Sequence, residues 1–369
     1  MNENKLLYEI GITLVHGIGN ITARQIVERL GDVSLLFKEK KRILEKIPGL
    51  SSRIISEIHK PEVLIRAEKE MRFIEKNKID TFFISDFEYP QRMKECVDAP
   101  VIIYYKGNVS LNSQKIISIV GTRKATAYAK DIIDRFIEDL KSNFPDTIIV
   151  SGLAYGVDIL AHKAALKENM NTVAVLAHGL DRIYPPGHRN VAQEMLSRGG
   201  LVTEYLSETN PDKSNFVKRN RIIAGISDCT LVIESADKGG ALITANIADS
   251  YNRDVFAFPG RISDKYSQGC NSLIKYRKAT MLTCADDLFR EMSWKIKDVS
   301  TKKAFQRTLM LDLSEDEQRI VDILQVNSQQ LNSLCIELNI PIHKLSPLLF
   351  DMEMKGYIKC LPGGMYQLN

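Results

Sequence analysis

Between about residues 80 and 283, short β-branched runs alternate with segments of helical period, and this alternation restricts the fold more than any other feature of the chain. The runs are Thr81–Ser85, Val101–Tyr105, Ile116–Val120, Thr147–Val150, Thr172–Leu176, Leu201–Glu204, Thr230–Glu234, Val255–Phe258 and Met281–Thr283. Ala127–Lys141, Ile159–Lys167, Arg189–Ser197 and Ile243–Tyr251 read as helices between them. Strands that are apolar along their whole length need cover on both faces, so the pattern predicts an α/β, doubly wound, mostly parallel sheet. In such sheets ligands bind beyond the carboxyl ends of the strands.

The flanks are different. Near the start, Gly17-Ile-Gly19 makes a tight turn between two helical segments. A looser copy, Ile47-Pro48-Gly49-Leu50-Ser51, precedes the helix-period residues Ile54, Ile55 and Ile58. Paired turns of this kind resemble helix-hairpin-helix or SAM-like units, which can turn backbone amides toward a phosphate backbone. At the other end, Ser314-Glu-Asp-Glu317 has capping-box spacing, two further helical patterns follow, and residues 356–368 read as a hairpin, which together suggest a winged helix. The expected organisation is an N-terminal helical domain at 1–75, the sheet domain at 76–294, a Lys-rich linker at 295–313 and the winged helix at 314–369.

The net charge of +4 is unevenly spread: residues 1–75 carry +2, residues 76–311 carry +6 and residues 312–369 carry −4. A polyanion is therefore expected at the middle of the chain, and an acidic winged helix points to a protein contact or plain packing more than to a DNA groove. The polar start and the lack of a long apolar run imply a cytoplasmic protein with no membrane association. Six cysteines without C-x-x-C or zinc-like spacing are expected to be reduced and packed. No metal or cofactor is expected: neither G-x-G-x-x-G nor G-x-x-x-x-G-K-[ST] occurs.

Several unusual loops fall at strand ends. Gly121-Thr122-Arg123 combines a glycine turn with a guanidinium, and Ser151-Gly152 begins a glycine-rich turn running to Asp158. Lys238-Gly239-Gly240 precedes a helix. Lys213-Ser-Asn-Phe216-Val-Lys-Arg219-Asn220-Arg221 puts four cations and one ring around a helix start; cations suit phosphates, and a flat ring lets a base stack without being identified. Together with Asn271, these thirteen residues are the expected binding site: Gly121, Thr122, Arg123, Ser151, Gly152, Lys213, Phe216, Arg219, Asn220, Arg221, Lys238, Gly240 and Asn271. Arg221 could instead pair with Glu234 or Asp158. His162, His178 and His188 lack ligand spacing and are expected to be packing or hydrogen-bonding residues.

The same loops resemble the DNA processing protein A (DprA/Smf) family, through Ser118-Ile-Val-Gly-Thr-Arg123, Ser151-Gly152, Asp158-Ile-Leu-Ala-His162, Tyr184-Pro185, Asn215-Phe216, Arg219-Asn-Arg-Ile-Ile-Ala-Gly225 and Lys238-Gly-Gly-Ala-Leu-Ile-Thr244. Val255-Phe-Ala-Phe-Pro-Gly260 and Gly269-Cys-Asn271 extend the match over about residues 80–290. The resemblance implies a Rossmann-like domain that binds single-stranded DNA without sequence preference, forms a homodimer, and loads the RecA recombinase onto incoming DNA in natural transformation. It places Arg123, Lys213 and Phe216 in the DNA pocket. Two departures stand out: Gly239, where the family often has serine, and Val217, where proline is usual and whose absence should loosen the turn before Arg219.

Two other classes compete with this reading. A Rossmann-like phosphoribohydrolase carries a P-G-G-x-G-T-x-x-E loop at a position like Lys238–Ala245, but this chain lacks the glutamate needed for acid/base work, so no enzyme is expected. The third class is an adaptor whose winged helix recruits a partner.

Overall fold

The computed structural model describes residues 3–47, 49–295, 313–325, 329–361 and 365–368. Inter-residue contacts divide the chain into two compact units, Met1–Lys297 and Asp298–Asn369. The expected linker lies almost wholly outside the described residues.

The first unit opens with six helices: α1 (Glu3–Leu14), α2 (Asn20–Leu30), α3 (Ser34–Lys38), α4 (Lys41–Leu44), α5 (Ser52–Ile58) and α6 (Pro61–Asn77). Gly17, at φ +95°, makes the first tight turn, and Gly19 stands just ahead of α2. At the second turn, where a second glycine is missing, Ser51 caps α5 by accepting from the Ile54 amide at 3.3 Å. Pro48 of that turn lies outside the described residues.

All nine apolar runs are strands. In chain order they are β1 (Asp80–Phe83), α7 (Gln91–Lys94), β2 (Ile102–Gly107), β3 (Ile116–Val120), α8 (Ala127–Asn143), β4 (Ile148–Ser151), α9 (Val157–Lys167), β5 (Thr172–Val175), α10 (Arg189–Met195), β6 (Gly199–Thr203), α11 (Lys213–Gly225), β7 (Cys229–Val232), α12 (Gly240–Ser250), β8 (Asp254–Ala257), α13 (Gln268–Lys275), β9 (Thr280–Met281) and α14 (Ala285–Glu291). The sheet order is β1-β2-β6-β5-β4-β3-β7-β8-β9. Pairing is parallel from β6 through β9, while β1 and β2 pair antiparallel at one edge.

Successive strand residues feed opposite faces, as the two-residue repeat requires. Ile117 and Ile119 pack with Ile133 and Phe136 of α8, whereas Ile116 and Val120 join Ile222 and Ile223 of α11 and Ala241 of α12. The N-terminal helices bury Ile10, Ile55 and Ala67 in this second cluster. Cys96, Cys229 and Cys270 are buried in these cores, but Cys284 and Cys360 are exposed, so only part of the cysteine set is packed as expected.

The second unit contains α15 (Glu315–Leu324), β10 (Gln329–Gln330), α16 (Leu331–Leu338), α17 (Ile342–Met354), β11 (Ile358–Leu361) and β12 (Met365–Leu368), with sheet order β10-β12-β11. Three helices against a small antiparallel sheet form the expected winged helix, and Ser314 and Glu317 make the capping box. Among the described residues, no helix is long and apolar enough to cross a membrane, and no His, Cys, Asp and Glu group could hold a metal ion.

Candidate nucleic-acid interface

After β3 the chain winds to one side through β4, β5 and β6, then returns to the other side of β3 as β7. A crevice opens at this reversal because the two crossovers leave the sheet in opposite directions. The Gly121-Thr122-Arg123 turn sits in it and is tied on both sides. The Thr122 amide donates to the Glu234 carbonyl at 2.7 Å, and the Thr122 carbonyl accepts from the Val157 amide at 3.1 Å. Two glycines make this approach possible: a Cβ on Gly156, which sits at φ +77°, would fall 2.2 Å from the Thr122 carbonyl oxygen, and one on Gly121 would fall 2.4 Å from Val157. Arg123 is thus carried outward on a braced turn and is exposed.

The basic segment is helical from Lys213 onward, so Val217 lies inside α11 and not in a turn. Helical spacing sorts its side chains: Lys213, Phe216, Val217 and Asn220 share the face that lines the cleft. The guanidinium of Arg123 lies 5.3 Å from the Phe216 ring centroid and that of Arg219 lies 5.9 Å from it. Tyr184 approaches the same ring at 5.8 Å. Opposite them, α12 starts at Gly240 with no side chain capping its amides, and Lys238 precedes it.

These elements enclose a cleft of about 460 Å³. Among the described residues, Arg123, Lys213 and Lys238 make no ion pair, so their charge faces the cleft uncompensated. Beneath them Arg219 is 3 % exposed and donates to the carbonyls of Gly152 (2.7 Å) and Val175. Burial lowers its pKa to about 10, so it stays charged at neutral pH. Asp158, buried nearby, has its pKa raised by burial, with Arg219 pulling it back down. Its carboxylate accepts from the Ala154 amide at 3.3 Å.

Of the thirteen expected residues, nine line the cleft: Gly121, Thr122, Arg123, Lys213, Phe216, Arg219, Asn220, Lys238 and Gly240. Four stand elsewhere. The Ser151 hydroxyl donates to the Ile119 carbonyl at 2.6 Å in the core. Gly152 is the floor on which Arg219 lies, since a Cβ there would meet the guanidinium at 2.5 Å. Asn271 clamps Gly260 through both backbone groups, at 3.1 and 2.9 Å. Arg221, two residues from Arg219, projects from the opposite side of the helix. Its partners are Glu204 and the Asp98 carbonyl at 2.7 Å, not Glu234 or Asp158.

Glu234 serves the α8 start, accepting from the Thr126 amide at 3.0 Å and from its hydroxyl at 2.6 Å. The histidines hydrogen-bond within the fold: His162 bonds Thr172 (2.7 Å), His178 bonds Gly179 (2.8 Å) and His188 bonds Leu153 (2.8 Å). At Gly239, a serine Cβ would fall 2.2 Å from the Ser235 hydroxyl, so glycine fits the hydroxyl already present. Tyr184, beside the Phe216 ring, and Ile243, in the cleft lining, are 43 % and 41 % exposed and stand within the quoted motifs but not among the thirteen expected residues. The Tyr-Pro-Pro-Gly turn after a strand was the available signal for Tyr184; Ile243 carries no such mark.

The segment leading into α11 is braced by the N-terminal helices. Glu70, 2 % exposed, accepts from the Ser207 amide (2.9 Å), the Ser207 hydroxyl (2.5 Å) and Arg66 (2.8 Å), while Arg66 also donates to the Ser207 carbonyl at 2.6 Å. Glu70→Ala strands a buried amide and a guanidinium, an expected loss of about 2–3 kcal/mol. Hydrogen exchange should then accelerate first in residues 204–212; unchanged protection there would show that the brace is dispensable.

Three lines of similarity accompany this geometry. The family model described as DNA recombination-mediator protein A matches residues 80–293, and the DprA winged helix domain model matches residues 309–364. The DNA processing protein DprA of Bacillus subtilis is 38 % identical over 215 residues, covering 58 % of this chain and 71 % of its own length. Protein Smf of Escherichia coli is 31 % identical over 294 residues, covering 76 % of this chain and 75 % of its own. The X-ray structure of Streptococcus pneumoniae DprA superposes with a TM-score of 0.64 at 31 % identity, over 77 % of this chain and 97 % of that one. A structure of Helicobacter pylori DNA processing protein A, described for its single-stranded DNA binding mode, gives 0.52 at 28 % identity, over 58 % and 96 %.

Proposed function

Since the chain belongs to the DNA recombination-mediator protein A family, we propose that its central cleft binds single-stranded DNA without sequence preference. The observation that carries this is Phe216, set on a helix face between Lys213 and Asn220 and beneath Arg123, with Arg123, Lys213 and Lys238 making no ion pair among the described residues. A base stacks on the ring, and Arg123 grips a phosphate in bidentate fashion while Lys213 and Lys238 supply point charges. The uncapped amides of α12 add a further anion contact.

On the same reading the protein acts without chemistry of its own, delivering the strand to the RecA recombinase during DNA uptake and recombination, as a homodimer in the cytoplasm. The hydrolase alternative has little to work with: the carboxylate lining the cleft, Asp158, is buried, held by the charge of Arg219 and occupied by the Ala154 amide.

Fluorescence anisotropy of a labelled single-stranded oligonucleotide, across a salt series and against duplex competitor, tests the proposal. Binding that prefers the single strand and weakens with log[salt] at a slope of about −0.7 per phosphate contact is expected. Equal affinity for duplex, or no salt dependence, would falsify it.

A further inference from the structure

A second cavity, of about 950 Å³, lies at the same end of the sheet, between the start of α8 and the loop after β8. Tyr128 and Tyr266 stand in its wall with Arg261 and Lys265. The two hollows are neighbours in the chain on both sides: the turn carrying Arg123 into the first cleft reaches Thr126 and Tyr128 of the second within a few residues, and Glu234 borders the second just before Ala236 borders the first. Lys124, exposed, stands between them.

The second cavity is built before anything enters it. The Tyr128 hydroxyl donates to the Pro259 carbonyl at 2.6 Å, which fixes the ring while leaving the residue 47 % exposed. Asn271 clamps Gly260, and the Ser235 amide donates to the Tyr266 carbonyl at 2.6 Å, so the loop holding Arg261 and Lys265 is tied at both ends. Glu234 is occupied by Thr126, which leaves Asp264 as the acidic wall residue opposing two cations. Among the described residues, Lys124, Arg261 and Lys265 make no ion pair.

Resting on the single-strand reading of the first cleft, we propose that this cavity is a second subsite for the same strand. The chain of nucleotides leaves the first cleft past Arg123 and Lys124, lays a base against Tyr128 or Tyr266, and sets its phosphates on Arg261 and Lys265. Asn271 acts as a positioning residue for this subsite through Gly260, although it touches no part of the first cleft.

The test is length dependence. Oligothymidines stepped from about 4 to about 16 nucleotides, the span of ordinary single-strand site sizes, are titrated against the full chain. In the wild type, affinity should rise once the strand is long enough to reach the second cavity. Tyr128→Ala with Arg261→Gln and Lys265→Gln should lower affinity for long strands about 10-fold or more. The salt slope for long strands should fall by about 1.4, the equivalent of two phosphates. Affinity for the shortest binding strand should stay unchanged, and Tyr128→Phe, which keeps the stacking face but loses the bond to Pro259, should cost long strands far less than Tyr128→Ala. Long strands held equally well by the triple variant, or equal losses at every length, would overturn the subsite. If the wild type binds no length at all, the single-strand reading itself fails.

Discussion

Arg123→Glu combined with Phe216→Ala should weaken single-stranded DNA binding about 1,000-fold, with stacking contributing about 1–3 kcal/mol and the charged phosphate contact about 1.5–3 kcal/mol. The two losses should not add simply, because the guanidinium lies over the ring at 5.3 Å and each orients the other. Phe216→Leu is the informative intermediate: it keeps the apolar volume beneath Arg123 but removes the flat face, so the stacking share should be lost and the charge share kept. In the charge-reversed variant the salt slope should flatten by about 0.7. Both residues are partly or wholly exposed, so melting temperatures should barely move. An anisotropy titration that left the double variant within a few-fold of wild type would remove Phe216 and Arg123 from the interface.

The largest stability effect should come from Arg219→Leu. This guanidinium is buried, donates to the Gly152 and Val175 carbonyls and is the positive charge that acts on Asp158. Removing one member of a buried charged pair costs about 3–5 kcal/mol, because the other charge stays behind without compensation. The pH dependence identifies the cause. Asp158 already has a folded-state pKa raised above the usual 3.8, and losing Arg219 raises it further. A carboxyl with a raised folded pKa stabilises the fold at low pH and loses that contribution as pH rises through its folded value. The deficit of the variant should therefore be widest near neutrality and shrink as the pH is lowered toward the ordinary carboxylate range. Urea unfolding followed through the single tryptophan, Trp294, whose ring stacks on Phe289, reads this out in the first unit. A deficit independent of pH would mean that lost packing, not the stranded Asp158, is responsible. DNA affinity should fall far less than in the Arg123 variant, since a leucine still supports the underside of Phe216.

The central strands were legible because a buried parallel strand must be apolar along its whole length, and runs such as Ile116–Val120 permit little else. The strand-end loops were legible for a related reason: Gly121 and Gly156 are required where backbone and side chains approach too closely for a Cβ. The winged helix announced itself through the Ser314 and Glu317 cap. Charge composition pointed to the middle of the chain, where the cleft lies, but did not separate its cations.

That separation belongs to the tertiary structure. Arg219, Asn220 and Arg221 are adjacent in sequence and all polar, yet one lies under the cleft, one lines it and one turns to Glu204. The sorting follows from about 100° of helical rotation per residue, set against neighbours that arrive from residues 98, 152, 175 and 204. Likewise Asn271 carries the polarity of a ligand contact, and only the return of the chain beside Gly260 commits it to the backbone. The order of the chain thus determined which segments become strands, turns and helices, because those choices depend on neighbours a few residues away. The partners of Arg219, Arg221 and Asn271 were decided by chain segments 11 to 123 residues away, and no local pattern encodes which of them will be there.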